Sequence, residues 1–329
     1  MKKILLIISL AVIALFNISC EETVNPKAEF KQQYILTCII NVSSDTVRAV
    51  ISRTYDVDGF NPDINNVDPA VSGAVVTIYQ GNQSFQLREG SRIRTDTSRY
   101  SNKQQYYYAT GIKFLAQKDI KIVAQLKSGE VLSAVTTPPE SNDFKFSYTF
   151  PDGIDPKVNW YLAGEYYTFS WEPVNSDHFA FPRLSILYRK DINGRKVEFL
   201  TQVPATYIKQ GDKQIPYYPL YSQADSCSFE YRCIDSALHK VANGDPNTTD
   251  YFLKYVQVDM MEFDKALTSY YSSTKGVLDN FSIRSDETVY SNINGGLGIF
   301  GCYRITSVRK LLDASYVVKL GYRWDQSFN

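Results

Sequence analysis

Histidine is almost missing from this chain. Only His178 and His239 occur in 329 residues, and they stand far apart. A serine-type triad needs a nucleophile, a histidine base and an orienting acid. Neither a G-x-S-x-G elbow nor an H-E-x-x-H helix is present. Charge of one sign is missing too, with 35 Lys and Arg set against 35 Asp and Glu. Nucleic-acid binding needs a concentrated basic face, so no nucleic-acid partner is expected. After Phe16 no apolar run is long enough to span a bilayer, which takes roughly 20 residues. Cysteine is sparse, at five residues.

What is present begins at the N-terminus. Lys2 and Lys3 precede an apolar run from Ile4 to Phe16, broken by Ser9, and Ser19 stands just before Cys20. The run has the length of a signal-peptide core. Residues 1–19 are therefore expected to be a lipoprotein signal, with Cys20 as the lipid attachment site and the membrane reached through that lipid. Removing the leader takes away Lys2 and Lys3 and leaves a net charge of −2. Residues 20–33, polar and carrying Pro26, read as a tether. The remaining cysteines are Cys38, Cys227, Cys233 and Cys302. In an oxidising compartment they allow three pairings. Cys227–Cys233 is the simplest, provided that the segment between them is not continuous helix.

From Tyr34 onward, short β-branched and aromatic runs alternate with turn residues, the pattern of a β-sandwich. Aromatic residues make up 14% of the chain and 25 of them are tyrosine, which suits a pleated surface with a polar tip outward. The runs VSGAVVTIYQG and KIVAQLKSGEVLSAVTTPP look like an immunoglobulin-like or prealbumin-like sandwich over 34–138, ended by Pro138-Pro139. Residues 139–329 are expected to form a second β-rich domain. There Tyr167 to Pro173, with Trp171, resembles an early strand of a fibronectin type III module, and Asn193-Gly194 is a hairpin signal. Two helices are expected inside it. One runs from about Ser228 to Ala242. The other starts at Asp259, with Glu262 three residues on in the manner of a capping box. Lys254 to Val258, Tyr303 to Val308 and Tyr316 to Tyr322 read as strands.

Candidate chemistry is thin. Gly296-Leu297-Gly298-Ile299-Phe300-Gly301 matches G-x-G-x-x-G, but a strand rather than a helix follows it, so it reads as a tight glycine loop against the sheet. Asp56, Asp58, Asn61 and Asp63 lead an acidic loop that runs from Tyr55 to Asp68. Calcium would need six to eight oxygens there, and Gly59 is at the wrong place for an EF-hand. The loop is expected to be solvated, a contact surface rather than a metal site. Cys227, Cys233 and His239 lack a fourth zinc ligand. Tyr106, Tyr107 and Tyr108 are candidates for partner contact. No cofactor, metal or catalytic residue is expected, although two carboxylates facing each other in a deep cleft would point to a hydrolase.

From Val289 through Ser291-Asn292-Ile293-Asn294-Gly295-Gly296-Leu297-Gly298-Ile299-Phe300-Gly301, the chain resembles the Bacteroidetes lipoproteins carrying domain of unknown function 4249. The lipoprotein start, the VSGAVVTI run and the helix before SNINGGLGIFG support the resemblance, which covers nearly the whole mature chain. It implies an outer-membrane lipoprotein, often encoded beside a TonB-dependent receptor, and it carries over no catalytic residues. Glu21-Glu22 resembles the acidic signals that send such lipoproteins to the cell surface. The expectation is a non-enzymatic accessory to a TonB-dependent transporter, holding the receptor or its glycan or peptide cargo. The alternative is a stand-alone glycan- or peptide-binding surface protein.

Overall fold

The alternation of apolar and polar residues is realised as strand over about half of the described residues. A computed structural model describes residues 29–59, 61–115, 117–140, 146–148, 166–171, 178–221, 223–274 and 290–327. The expected signal peptide, Cys20 and most of the tether lie outside these residues. Met1–Gln32 is a unit apart, and of it only 29–32 are described, without helix or strand.

The strands of the first half are β1 (Tyr34–Asn41), β2 (Val47–Arg53), β3 (Val75–Gln80), β4 (Gln83–Arg92), β5 (Gln104–Ala109), β6 (Ile120–Gln125) and β7 (Val131–Thr136). After them come β8 (Phe146–Tyr148), β9 (Tyr166–Trp171), β10 (Ala180–Ile192), β11 (Arg195–Val203), β12 (Thr206–Gln210), β13 (Lys213–Tyr217) and β14 (Ser226–Glu230). The helix α1 (Tyr231–His239), strand β15 (Tyr251–Phe263), helix α2 (Lys265–Thr274), strand β16 (Leu297–Leu311), helix α3 (Ala314–Lys319) and strand β17 (Arg323–Trp324) complete the order. The protein is mainly β, with one large mixed sheet.

That sheet has the order β11-β10-β15-β16-β1-β2-β5-β4-β3-β6-β7, with β17 attached to β15. Strand β4 belongs to two layers. Up to Leu87 it pairs with β3, and from Arg88 it pairs with β5. The sheet therefore folds over at β4 and encloses a core. Leu36, Cys38 and Ile40 of β1 and Ile51 of β2 meet Ile78 of β3 and Ile122 of β6 there. Each such side chain contributes roughly 1.5–3 kcal/mol on full burial.

The expected boundary at 138/139 does not divide the sheet. Strand β16 returns to pair in parallel with β1, Ile35 opposite Leu297 through Asn41 opposite Tyr303. Its Phe300 and Cys302 enter the first core with Ile293. The edge of β7 is stitched to the same segment by reciprocal Ser133–Asn294 backbone bonds of 3.0 and 2.8 Å. Residues 34–138 thus make a β-sandwich that the last third of the chain completes. Immunoglobulin-like, prealbumin-like and fibronectin-like assignments are finer than this architecture carries.

A second core lies between β9, β10, β14 and β15 on one side and α1 and α3 on the other. Phe169, Trp171, Phe229, Ile234 and Leu238 meet in it. The hairpin at Asn193-Gly194 joins β10 to β11, both residues at positive φ (56° and 81°), the backbone of a type I′ turn. A smaller third cluster packs Leu267 of α2 on Ile299 of β16 and Phe263 of β15.

Three expectations about local structure need correction. The helix expected from Asp259 starts at Lys265, because β15 continues as buried strand to Phe263. Asp264, not Asp259, caps it: Leu267 N donates to Asp264 Oδ1 at 2.7 Å. Tyr316 to Tyr322 is not a strand, since α3 begins there under an Asp313 cap that accepts from Tyr316 N at 2.9 Å. Cys227 and Cys233 are free thiols. Cys227 lies on β14, paired opposite Phe169, while Cys233 stands on α1 and is wholly buried. The change from strand to helix after Glu230 separates the two positions.

Candidate functional site

A cleft of about 470 Å³ opens where the end of β7, the end of β15 and the start of α2 converge. Three local features build it. Pro138 and Pro139 stop the sheet after β7, since proline has no N–H to give to a ladder, and the chain then runs along the cleft to Glu140. Asp264 ties the cleft's base together. Its Oδ2 accepts from Cys302 N at 2.7 Å, from the Cys302 thiol at 3.2 Å and from the Thr136 hydroxyl, so one carboxylate links β16, β7 and the α2 cap. Asn292 fixes the far wall. Its side-chain amide donates to Phe300 O at 2.7 Å and accepts from Phe300 N at 2.9 Å, like one more strand residue.

Glu262 occupies the middle of this arrangement. It is 4% exposed, and its Oε2 is buried without a hydrogen-bond partner. In the ladder it stands between Ala180 of β10 and Arg304 of β16. Arg304 does not pair with it: the Arg304 Nε donates to Pro139 O at 3.3 Å. Burial raises the Glu262 carboxyl to about 7, the Arg304 charge works against that rise, and the Glu140 charge adds to it. Lys265, Tyr290 and the half-buried His178 also line the cleft. Burial likewise raises Asp264, in spite of its hydrogen bonds. The site therefore offers an enclosed carboxylate that changes charge near neutral pH, beside apolar walls and a second, exposed carboxylate at Glu140.

The residues singled out from the sequence lie elsewhere. Asp56, Asp58, Asn61 and Asp63 are exposed, as expected of a solvated loop. The loop is nevertheless built. Asp63 N donates to Asn61 Oδ1 at 2.9 Å, and Ala70 N donates to Asp68 Oδ1 at 3.0 Å. Arg94 pairs with Asp68 at 2.5 Å, and Arg99 donates to Asn65 O at 3.3 Å and to the Tyr55 hydroxyl. Both guanidinium groups lie over the Tyr100 ring, at 5.3 and 5.2 Å. Tyr107 is a core residue at 1% exposure, donating to Val71 O at 3.0 Å, so it is withdrawn as a contact residue. Strand alternation sends Tyr106 and Tyr108 to the other face, where their rings lie 5.7 Å apart and pack over Gly90.

The glycine segment is structural. It runs into β16, not a helix, and at Gly298 φ is +119° with an added Cβ falling 2.1 Å from Leu36 O. Among the described residues no three His, Cys, Asp or Glu side chains converge to hold a metal ion, and no helix is long and apolar enough to cross a membrane. Sequence reasoning missed Glu262 as a site residue because its spacing from Asp259 imitated a capping box.

No curated protein matches the chain. Residues 21–309 match the model of a family described as Domain of unknown function (DUF4249). With that match running from just after Cys20 through the glycine segment and nearly all of β16, the chain belongs to this family.

Proposed function

We propose that this protein is a non-enzymatic lipoprotein of the outer membrane, anchored at the cell surface through Cys20, that serves a TonB-dependent transporter in nutrient capture. The observation that carries the reading is the place of the acidic loop. The folded unit begins at Gln33, and Thr54 N donates to Gln33 O at 2.8 Å, so the Tyr55–Asp68 loop leaves the sheet at the end where the chain enters it. Twelve residues lie between Cys20 and Gln33. At full stretch they reach roughly 45 Å. A loop on so short a leash suits a partner in the same membrane, and Arg94 and Arg99 brace it by their bonds to Asp68 and Asn65.

The test is capture from solubilised outer membranes. A receptor barrel should co-purify with the parent and be depleted when residues 61–66 are deleted. The fold should survive that deletion, since loop length changes closure entropy little. Cys20→Ala should release the protein from membranes. A parent that captures no barrel, or a Cys20→Ala variant that fractionates like the parent, ends this reading.

Glu262 and Glu140 in one cleft favour a second reading, hydrolysis by a raised carboxylic acid with a second carboxylate near it. That reading requires turnover of a chromogenic glycoside or peptide ester, lost in Glu262→Gln.

A further inference from the structure

The Glu262 cleft goes beyond the transporter reading and does not depend on it. A carboxylate can accept about four hydrogen bonds. Here Oε2 is enclosed and receives none, while the guanidinium in register beside it is turned to Pro139 O. Leaving a buried acceptor unpaired is unfavourable, and more so for a charged one. Lys265 lines the same cleft, yet no ion pair joins it to Glu262 among the described residues. A group that pairs with this carboxylate from the cleft has to donate N–H or O–H.

The other charged and titratable groups around the cleft decide which donor fits. Glu140 follows β7, His178 precedes β10, Lys265 opens α2, Arg304 lies on β16 and Tyr290 leads toward β16. Arg304 acts on Glu262 with an opposite charge, and Glu140 acts on it with a weaker like charge. An arriving cation relieves that repulsion as well as the missing hydrogen bond, whereas a neutral hydroxyl relieves only the second. The walls between are apolar: Val135, Pro138, Pro139 and Ala266. They suit an alkyl stem with a charged end.

We propose that this cleft is a binding subsite for a primary ammonium or guanidinium group on an aliphatic stem, as carried by a lysine or arginine side chain of a peptide, with Glu262 as its counter-ion. The cleft's volume of about 470 Å³ takes one such side chain and part of its backbone.

The experiment uses the purified full chain in detergent with two probes, Nα-acetyl-lysine amide and its uncharged counterpart Nα-acetyl-norleucine amide, followed by calorimetry at pH 8. Saturable binding of the lysine probe, with the norleucine probe at least ten-fold weaker, is expected. Glu262→Gln should weaken the lysine probe by roughly ten-fold or more. Lowering the pH to 6 should weaken it in the parent, because protonated Glu262 no longer pairs with a cation. As a readout independent of any variant, the carboxyl ¹³C resonance of Glu262 should titrate at lower pH when the lysine probe is present. Equal affinity for both probes, no binding of either, or an unmoved Glu262 titration overturns the proposal. Each of these leaves the receptor-capture result standing by itself, so the two readings fail separately.

Discussion

Gly298→Ala tests how closely β1 and β16 approach. At this position φ is +119°, a region that an L-residue enters at a cost of about 1–3 kcal/mol. The new Cβ would also lie 2.1 Å from Leu36 O, where ordinary contact begins at 3.4 Å. Neither backbone can yield alone, because Leu36 and Gly298 are direct partners in the parallel ladder. Opening that rung loses one or two hydrogen bonds at roughly 0.5–1.5 kcal/mol each. The total is about 1.5–6 kcal/mol out of a typical 5–15, a fall in Tm on the order of 10 °C for a unit of this size. Gly129→Ala is the control: φ is +102°, but nothing lies within 4 Å of its new Cβ. It should show the conformational cost alone. Urea unfolding of the parent and both variants separates the terms. If Gly298→Ala and Gly129→Ala lose the same stability, the close-approach argument is wrong. If the parent binds a dinucleotide saturably, the glycines serve a ligand and not the sheet.

Two further outcomes follow from the buried groups. Glu262 is raised from its ordinary 4.5 to about 7, so between those values the folded state holds more protons than the unfolded one and stability falls as pH rises. The parent should lose on the order of 2–3 kcal/mol across that window relative to Glu262→Gln, as read from urea midpoints at pH 4.5, 6 and 8; parallel curves for the two would refute it. Burial pushes the Cys227 thiol up to about 12 and the Cys233 thiol up to about 11. Alkylation should therefore be slow in the native protein, and in denaturant without reductant all of Cys38, Cys227, Cys233 and Cys302 should be labelled. A mass deficit of two labels would restore the disulfide.

The strands of the first sandwich were legible because each has period-2 burial and ends in turn residues: β1, β3, β6 and β7 lie where their runs predict. Asn193-Gly194 specified its hairpin for the same local reason. The helix starts were not legible. Asp259 and Glu262 have capping-box spacing, yet Val256, Val258 and Met260 alternate into the second core and hold the segment as strand, so packing overrides the local signal. Tyr316 to Tyr322 read as strand, but Asp313 supplies a cap and Val317 is buried in the second core, its backbone N–H bonded to Asp313 O. The cleft has no local signature. Thr136, Glu262 and Asn292 meet only because β16 returns to β1, a pairing across more than 250 residues that no window of sequence contains.

That return has a consequence in time. Strand β1 is synthesised well before its parallel partner, since the partner of Asn41 is Tyr303. At about 5–20 residues per second, roughly 13–50 s pass between the two. Through that interval β1 can zip to β2 while its other margin stays bare, and the first core waits for Phe300 and Cys302. A polypeptide cut short before residue 290 would keep that margin permanently, as an adhesive rim for other chains. The strand that returns across more than 250 residues is thus the one that covers the open edge of β1.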